Sequence, residues 1–345
     1  MAIMKCREEE KGMGEKGKPI EVIQVMRLAG AMLVVLFHAN LIGDRGYFGV
    51  DIFSVISGYI IMYSTEKVSS QKNFLLKRMI RILPLYWLMT ILNYGIISVL
   101  PQLSIMSEAK PEYLIKSMLF IPFVNGKGYN TPILGLGWTL NYEVMFYLVF
   151  FCAVHISHKW RGFLAASMLW GMAIAGMGVE FPNLLLNYYT DSFLLEFSWG
   201  IFAFYIIRAL EIYGKNSKVK AGCFLAGLFC FIAMFFDSPE SQVPRCFRLG
   251  IPAFFFFCTM MVAGNGIHFN KKAVALGGMT YSLYLIEYFT TAAYKAVVPQ
   301  GNMAVQIFAF VPCLALTVGC AYVSYQVVEQ RGGKYLRKVL KLEGR

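Results

Sequence analysis

Apolar residues run along this chain in long blocks broken by clusters of charge, Gly, Pro or Asn. The blocks predict helices near 23–42, 47–65, 82–100, 136–156, 163–179, 186–207, 221–236, 248–265, 277–298 and 304–328. A helix needs about 20 apolar residues to cross a bilayer. Within lipid, only helices and closed barrels satisfy their own backbone polar groups. The pattern therefore predicts an all-α, polytopic membrane helix bundle of about ten transmembrane helices.

Alternate connections then fall on opposite sides. With the N-terminus inside, inner segments hold 24 of the 32 Lys and Arg residues. Outer segments hold seven (Arg45, Lys110, Lys116, Lys127, Arg245, Arg248 and Lys295), and Arg27 lies within the first span. Cytoplasmic loops collect positive charge, so this asymmetry predicts an N-in, C-in orientation. The expected organisation is a flexible cytoplasmic tail over 1–21, a ten-helix membrane domain over 22–331 and a basic cytoplasmic tail over 332–345. No signal peptide is expected in 1–21, which has no apolar stretch before a cleavage site. The one long connection, 101–135, contains a short apolar piece, Ser117 to Val124, expected to re-enter the membrane or lie at its surface.

Composition supports the same class. Hydrophobic residues make up 57% and charged residues 15%, against roughly a quarter charged in soluble proteins, and mean hydropathy is +0.56. The net charge of +12 is spread between apolar runs, whereas nucleic-acid binding needs it gathered on one face or arm. The eight cysteines form no CxxC pair and mostly sit inside apolar segments, which gives neither a zinc site nor a disulfide framework.

Ionisable groups inside spans are expensive and mark function. Arg27 and His38 share the first span, eleven residues apart, about 16 Å along the axis and on nearly one face. Such a face suits an anionic ligand entering at the Arg27 end whose reactive end must reach His38. Acyl-coenzyme A, with phosphates at one end and a thioester at the other, has that shape. Asp51 enters the second span at the depth of His38. It could orient the imidazole as a general base, or the two could simply lock a pair of helices. Glu143, in Trp138-Thr-Leu-Asn-Tyr-Glu143, is expected in the same outer layer, positioning an acceptor hydroxyl, supporting His38 or bonding to a neighbouring Tyr or Asn. Trp138 and Tyr142 read as interfacial-belt aromatics, with sugar stacking the alternative.

On the inner side, Lys77, Arg78 and Arg81 open the third span within about one turn. They could hold phosphates or serve as a positive-inside anchor. Glu329 and Arg331 read as a structural ion pair. Glu196 and Glu287 lie at middle depth without an assigned role. His155 and His158, three apart, lack a third ligand of suitable spacing, so no metal is expected.

In order along the chain, Arg27 and His38, Gly49-Val-Asp51-Ile-Phe with Ile56-Ser-Gly-Tyr, and Arg78-x-x-Arg81-Ile-x-Pro-x-Tyr-Trp resemble the membrane acyltransferase-3 family. Gly137-Trp-Thr-Leu-Asn-Tyr-Glu143 with Phe146-Tyr147 looks most like its branch of exopolysaccharide-production acetyltransferases. The resemblance implies an O-acyltransferase that moves an acetyl or other short acyl group from acetyl-coenzyme A to a hydroxyl of a cell-surface or lipid-linked saccharide. It also implies a location in a bacterial cell membrane. By position it puts catalysis on His38, Asp51 and Glu143, with His38 as general base or transient acyl carrier, and donor binding on Arg27, Arg78 and Arg81. Ser54 stands where the family often has Phe. Glu287 stands where it often has His, which argues against a catalytic role there. No esterase domain follows the helices, so any further transfer step is expected to use this bundle or a separate partner. Two alternatives without acyl chemistry stay open at this point: a transporter or flippase for a lipid-linked saccharide, which would ordinarily carry internal symmetry, and a scaffold subunit for polysaccharide assembly.

Overall fold

A computed structural model describes residues 18–66, 73–104, 106–210, 216–238, 240–299 and 301–342. The tail predicted over 1–21 lies largely outside them. Helices form at all ten predicted places: α1 (Lys18–His38), α2 (Gly49–Thr65), α3 (Phe74–Val99), α5 (Gly137–Ile156), α6 (Arg161–Gly178), α8 (Leu195–Leu210), α9 (Ser217–Phe235), α10 (Ile251–Ala263), α12 (Thr280–Val297) and α13 (Met303–Ser324). Short helices α4 (Pro111–Met118), α7 (Leu184–Tyr189), α11 (Lys271–Gly278) and α14 (Gly333–Val339) fill the connections and the C-terminal end. No strand occurs among the described residues.

Among the described residues, seven helical stretches are long and apolar enough to cross a membrane: Glu21–His38, Phe74–Val99, Gly137–Ile156, Leu184–Leu210, Ser217–Phe235, Cys246–Ala263 and Met303–Val339. Of the other three, α2 is apolar but 17 residues long, and α6 and α12 reach 18 residues with lower hydropathy.

Asparagines mark several helix starts. The side chains of Asn183, Asn216, Asn270 and Asn302 accept hydrogen bonds from the first free backbone N–H groups of α7, α9, α11 and α13. Helix continues past Ser324 through a π-helical stretch, Tyr325–Gly332, into α14. The ninth predicted span, 277–298, forms as α12, with the short α11 just before it and Met279 between them.

The bundle is built around α2, which packs closely on α8 where two glycines meet. A Cβ at Gly58 would stand 2.1 Å from the Phe197 carbonyl oxygen and 2.9 Å from the Gly200 Cα. A Cβ at Gly200 would stand 2.1 Å from the Val55 carbonyl oxygen. Without a strong hydrophobic drive between helices in lipid, close backbone approach of this kind supplies much of the packing. α1 lies between α2, α11 and α12, while α9 pairs with α10 and α13 with α12. The outermost helices are α9 and α13, whose apolar stretches are only 11% and 17% buried. Their bare Phe224, Leu225, Phe229, Phe308 and Val311 suit contact with lipid.

In the long connection, α4 is followed by a non-helical stretch through Val124. It is docked on α3. Tyr86 OH donates to the Ser117 carbonyl (3.1 Å), Trp87 Nε1 to the Met118 carbonyl (2.9 Å) and Asn93 Nδ2 to the Ile133 carbonyl (2.7 Å).

Candidate active site

His38 is the last residue of α1. Its Nδ1 lies 2.7 Å from Oε1 of Glu287 on α12, and that carboxylate is wholly buried. Thr291 Oγ1, one turn further along α12, donates to Oε2 (3.4 Å). With Glu287 accepting, Nδ1 is the protonated nitrogen and Nε2 keeps its lone pair. The His38 side chain is 29% exposed and its ring leans on Phe37, centroids 5.2 Å apart. A histidine held by a carboxylate, with its second nitrogen open, is the arrangement general-base chemistry requires.

Asp51 does not supply that carboxylate, and the expected pairing of Asp51 with His38 is corrected here. Asp51 is wholly buried in the first turn of α2 and is gripped in bidentate fashion by Arg245, Nε to Oδ1 at 2.9 Å and Nη2 to Oδ2 at 2.7 Å. The guanidinium carbon also lies 5.1 Å from the Tyr47 ring, 5.5 Å from Phe193 and 5.7 Å from Trp138. Trp138 is therefore engaged with a protein cation, and Tyr142 stacks on Tyr188 with centroids 4.7 Å apart. Glu196 sits beside the Asp51–Arg245 pair, buried, with neither carboxylate oxygen hydrogen-bonded.

Toward the other end of α1 lies a partly open cavity lined by Arg27, Arg78, Arg81, Glu143, Tyr147, Tyr281 and Tyr284, among others. The sequence reading joined the three arginines, and the structure gathers them. Arg27 is only 8% exposed, yet neither it nor Arg81 donates a hydrogen bond to a described residue, and no carboxylate among them comes within 4.0 Å. Arg78 donates to Ser64 Oγ (2.6 Å) and lies over the rings of Phe74 and Tyr147 at 5.7 Å.

Glu143 lines this cavity. Its Oε1 accepts from Tyr147 OH and from Ser57 Oγ (3.3 Å). The cavity climbs the face of α12 through Tyr281 and Tyr284, and Glu287 follows at the next i, i+3 step. Tyr281 OH donates to the Ile82 carbonyl (2.8 Å), and Tyr284 OH lies 3.0 Å from Thr139 Oγ1. One stripe of α12 therefore joins the arginine cavity to the His38 carboxylate.

Sequence reasoning left Glu287 without a role. Its signal was its cost: a carboxylate at mid-span needs a polar partner, and His38 is one of few within reach. Arg245 was missed because it read as one loop cation among seven. Glu329 does not pair with Arg331. Its Oε1 instead accepts from Ser282 N (3.1 Å) and Ser282 Oγ (2.5 Å) in the first turn of α12. His155 and His158 bond to the carbonyls of Phe151 (2.8 Å) and Thr65 (3.0 Å), respectively.

The chain is similar to the exopolysaccharide production protein ExoZ of Rhizobium meliloti, 29% identical over 335 residues, which span 90% of this chain and 99% of ExoZ. It is also similar to the peptidoglycan O-acetyltransferase OatA of Listeria monocytogenes, 27% identical over 235 residues, covering 62% of this chain and 35% of OatA. No solved structure matches it. The acyltransferase domain of the acyltransferase-3 family matches residues 20–326, nearly the whole helical bundle, and the chain belongs to that family.

Proposed function

We propose that this protein is a membrane O-acyltransferase that moves an acetyl or other short acyl group from acyl-coenzyme A to a hydroxyl of a cell-surface or lipid-linked saccharide. The observation that carries the reading is the His38–Glu287 pair at 2.7 Å, standing on the same helix as Arg27 and joined to the arginine cavity by one face of α12. Family membership supports acyl transfer, and the names of ExoZ and OatA favour a polysaccharide acceptor.

In this reading the ten helices cross a bacterial cell membrane with both chain ends on the cytoplasmic side. The donor phosphates bind Arg27, Arg78 and Arg81, which offer bidentate guanidinium donors in a site short of counter-charge. The pantetheine arm runs along α1 beside Tyr281 and Tyr284. At the far end, Nε2 of His38 takes the proton of the acceptor hydroxyl while its oxygen attacks the thioester carbonyl. The C–S bond breaks, and the departing thiolate receives the proton from His38. Glu287 orients the ring and stabilises the imidazolium. Glu143, anchored by Tyr147 and Ser57, shapes the cavity between the two ends. Asp51 serves through Arg245, holding the outer start of α2 in place.

The test uses the purified full chain, intact and as His38→Ala, with radiolabelled acetyl-coenzyme A and saccharide-containing membranes. Label entering an alkali-labile product with the intact protein alone is the expected result. Equal label with both proteins, or saccharide movement without coenzyme A release, contradicts it.

A further inference from the structure

Glu329 sits in the π-helical stretch Tyr325–Gly332, a rare geometry that clusters at functional sites. The start of α12 has no side-chain cap of its own. Glu329 supplies one from another helix, its Oε1 taking the N–H and hydroxyl of Ser282. That leaves Oε2 without a hydrogen bond among the described residues. The carboxylate also interacts electrostatically with both Arg27 and Arg81 without an ion pair to either. Thr280 and Tyr281, next to the residue it holds, line the arginine cavity.

The cavity is lined by three guanidiniums and one carboxylate, Glu143, and Glu329 is held by Ser282, next to Tyr281 of the cavity wall. Glu143 is taken up by Tyr147 and Ser57. Glu329 is fixed on Ser282 beside the cavity wall, and its charge acts on Arg27 and Arg81, the two arginines an incoming anion would also engage. We propose that Glu329 acts as a resident anion of this site, countering Arg27 and Arg81 when it is empty and weakening the hold on a phosphorylated ligand so that it can leave. The assignment of that ligand as coenzyme A rests on the function proposed above; the competition between Glu329 and an anion does not.

Glutamine at this position keeps an oxygen for Ser282 and removes only the charge. A like charge several ångströms from the bound phosphates is worth about tenfold in affinity at intermediate dielectric. Full-length protein in lipid nanodiscs is titrated with coenzyme A and, separately, with inorganic pyrophosphate, as wild type, Glu329→Gln and Ser282→Ala. The expected result is about tenfold tighter binding of both probes by Glu329→Gln and a change within twofold for Ser282→Ala. Turnover at saturating donor should fall in Glu329→Gln as product release slows, giving a lower KM together with a lower kcat. Tightening for pyrophosphate with no binding of coenzyme A by any form upholds the role of Glu329 and overturns coenzyme A as ligand. Unchanged or weaker binding of both probes by Glu329→Gln, equal tightening by Ser282→Ala, or no binding of either probe overturns the role of Glu329.

Discussion

The two ends of α1 treat charge in opposite ways. Around His38, three carboxylates meet a basic side chain, Glu287 with His38, Asp51 with Arg245 and Asp237 with Arg248, while Glu196 beside them makes no ion pair with a described residue. Around Arg27 the positive groups outnumber the negative ones, and Arg27 and Arg81 donate to no described residue. Buried charges that are mated hold a structure in register, whereas Arg27, buried without a hydrogen-bond partner among the described residues, costs free energy unless something else binds it; Arg81 is exposed. In the function proposed above, this contrast matches orientation and chemistry at one end and ligand capture at the other.

The largest break in this comparison is His38→Ala. Losing a positioned general base costs about 10²- to 10⁴-fold in rate, so acetyl transfer should fall by that factor. Next is Arg245→Ala, which leaves Asp51 buried without its partner. Removing one member of a buried pair costs about 3–5 kcal/mol. A large fall in thermal stability in detergent is expected, with a milder one when Asp51→Asn is added. Arg27→Ala should act on the other end alone: loss of a charge-assisted hydrogen bond worth about 1.5–3 kcal/mol predicts a donor KM raised roughly 10- to 100-fold with kcat little changed. The smallest effect is expected for Ser57→Ala. It removes one 3.3 Å hydrogen bond to Glu143, leaves Tyr147 in place and should cost about 0.5–1.5 kcal/mol of stability. Steady-state kinetics on the Arg27 and Ser57 variants would show whether the two ends can be weakened separately.

The helices were legible because apolar blocks and the residues that break them are local features, and the structure forms helix at every predicted block. The three-arginine site was legible for a related reason. Arg78 and Arg81 share a turn, and Arg27 is an expensive charge in an apolar helix, so all three announce themselves without knowledge of packing. The partner of His38 was not legible. Depth along a span can be read from the sequence, and it put Asp51 level with His38. The azimuth of α2 against α1 cannot be read this way, and it turns Asp51 toward Arg245, 194 residues away. The cavity that Glu143 faces was not legible for the same reason, because counting turns from the helix start sets depth and not direction. The Glu329 contact with Ser282 depends on a π-helical stretch that changes the direction of side chains after Ser324, which apolar periodicity does not reveal.

The most direct test of the division between the two ends is equilibrium binding of labelled acetyl-coenzyme A to the His38→Ala protein in nanodiscs. The account predicts affinity within a few-fold of wild type in a protein that transfers no acetyl group. Loss of binding in His38→Ala, with the fold intact by thermal unfolding, would mean that His38 belongs to ligand capture and would contradict the account.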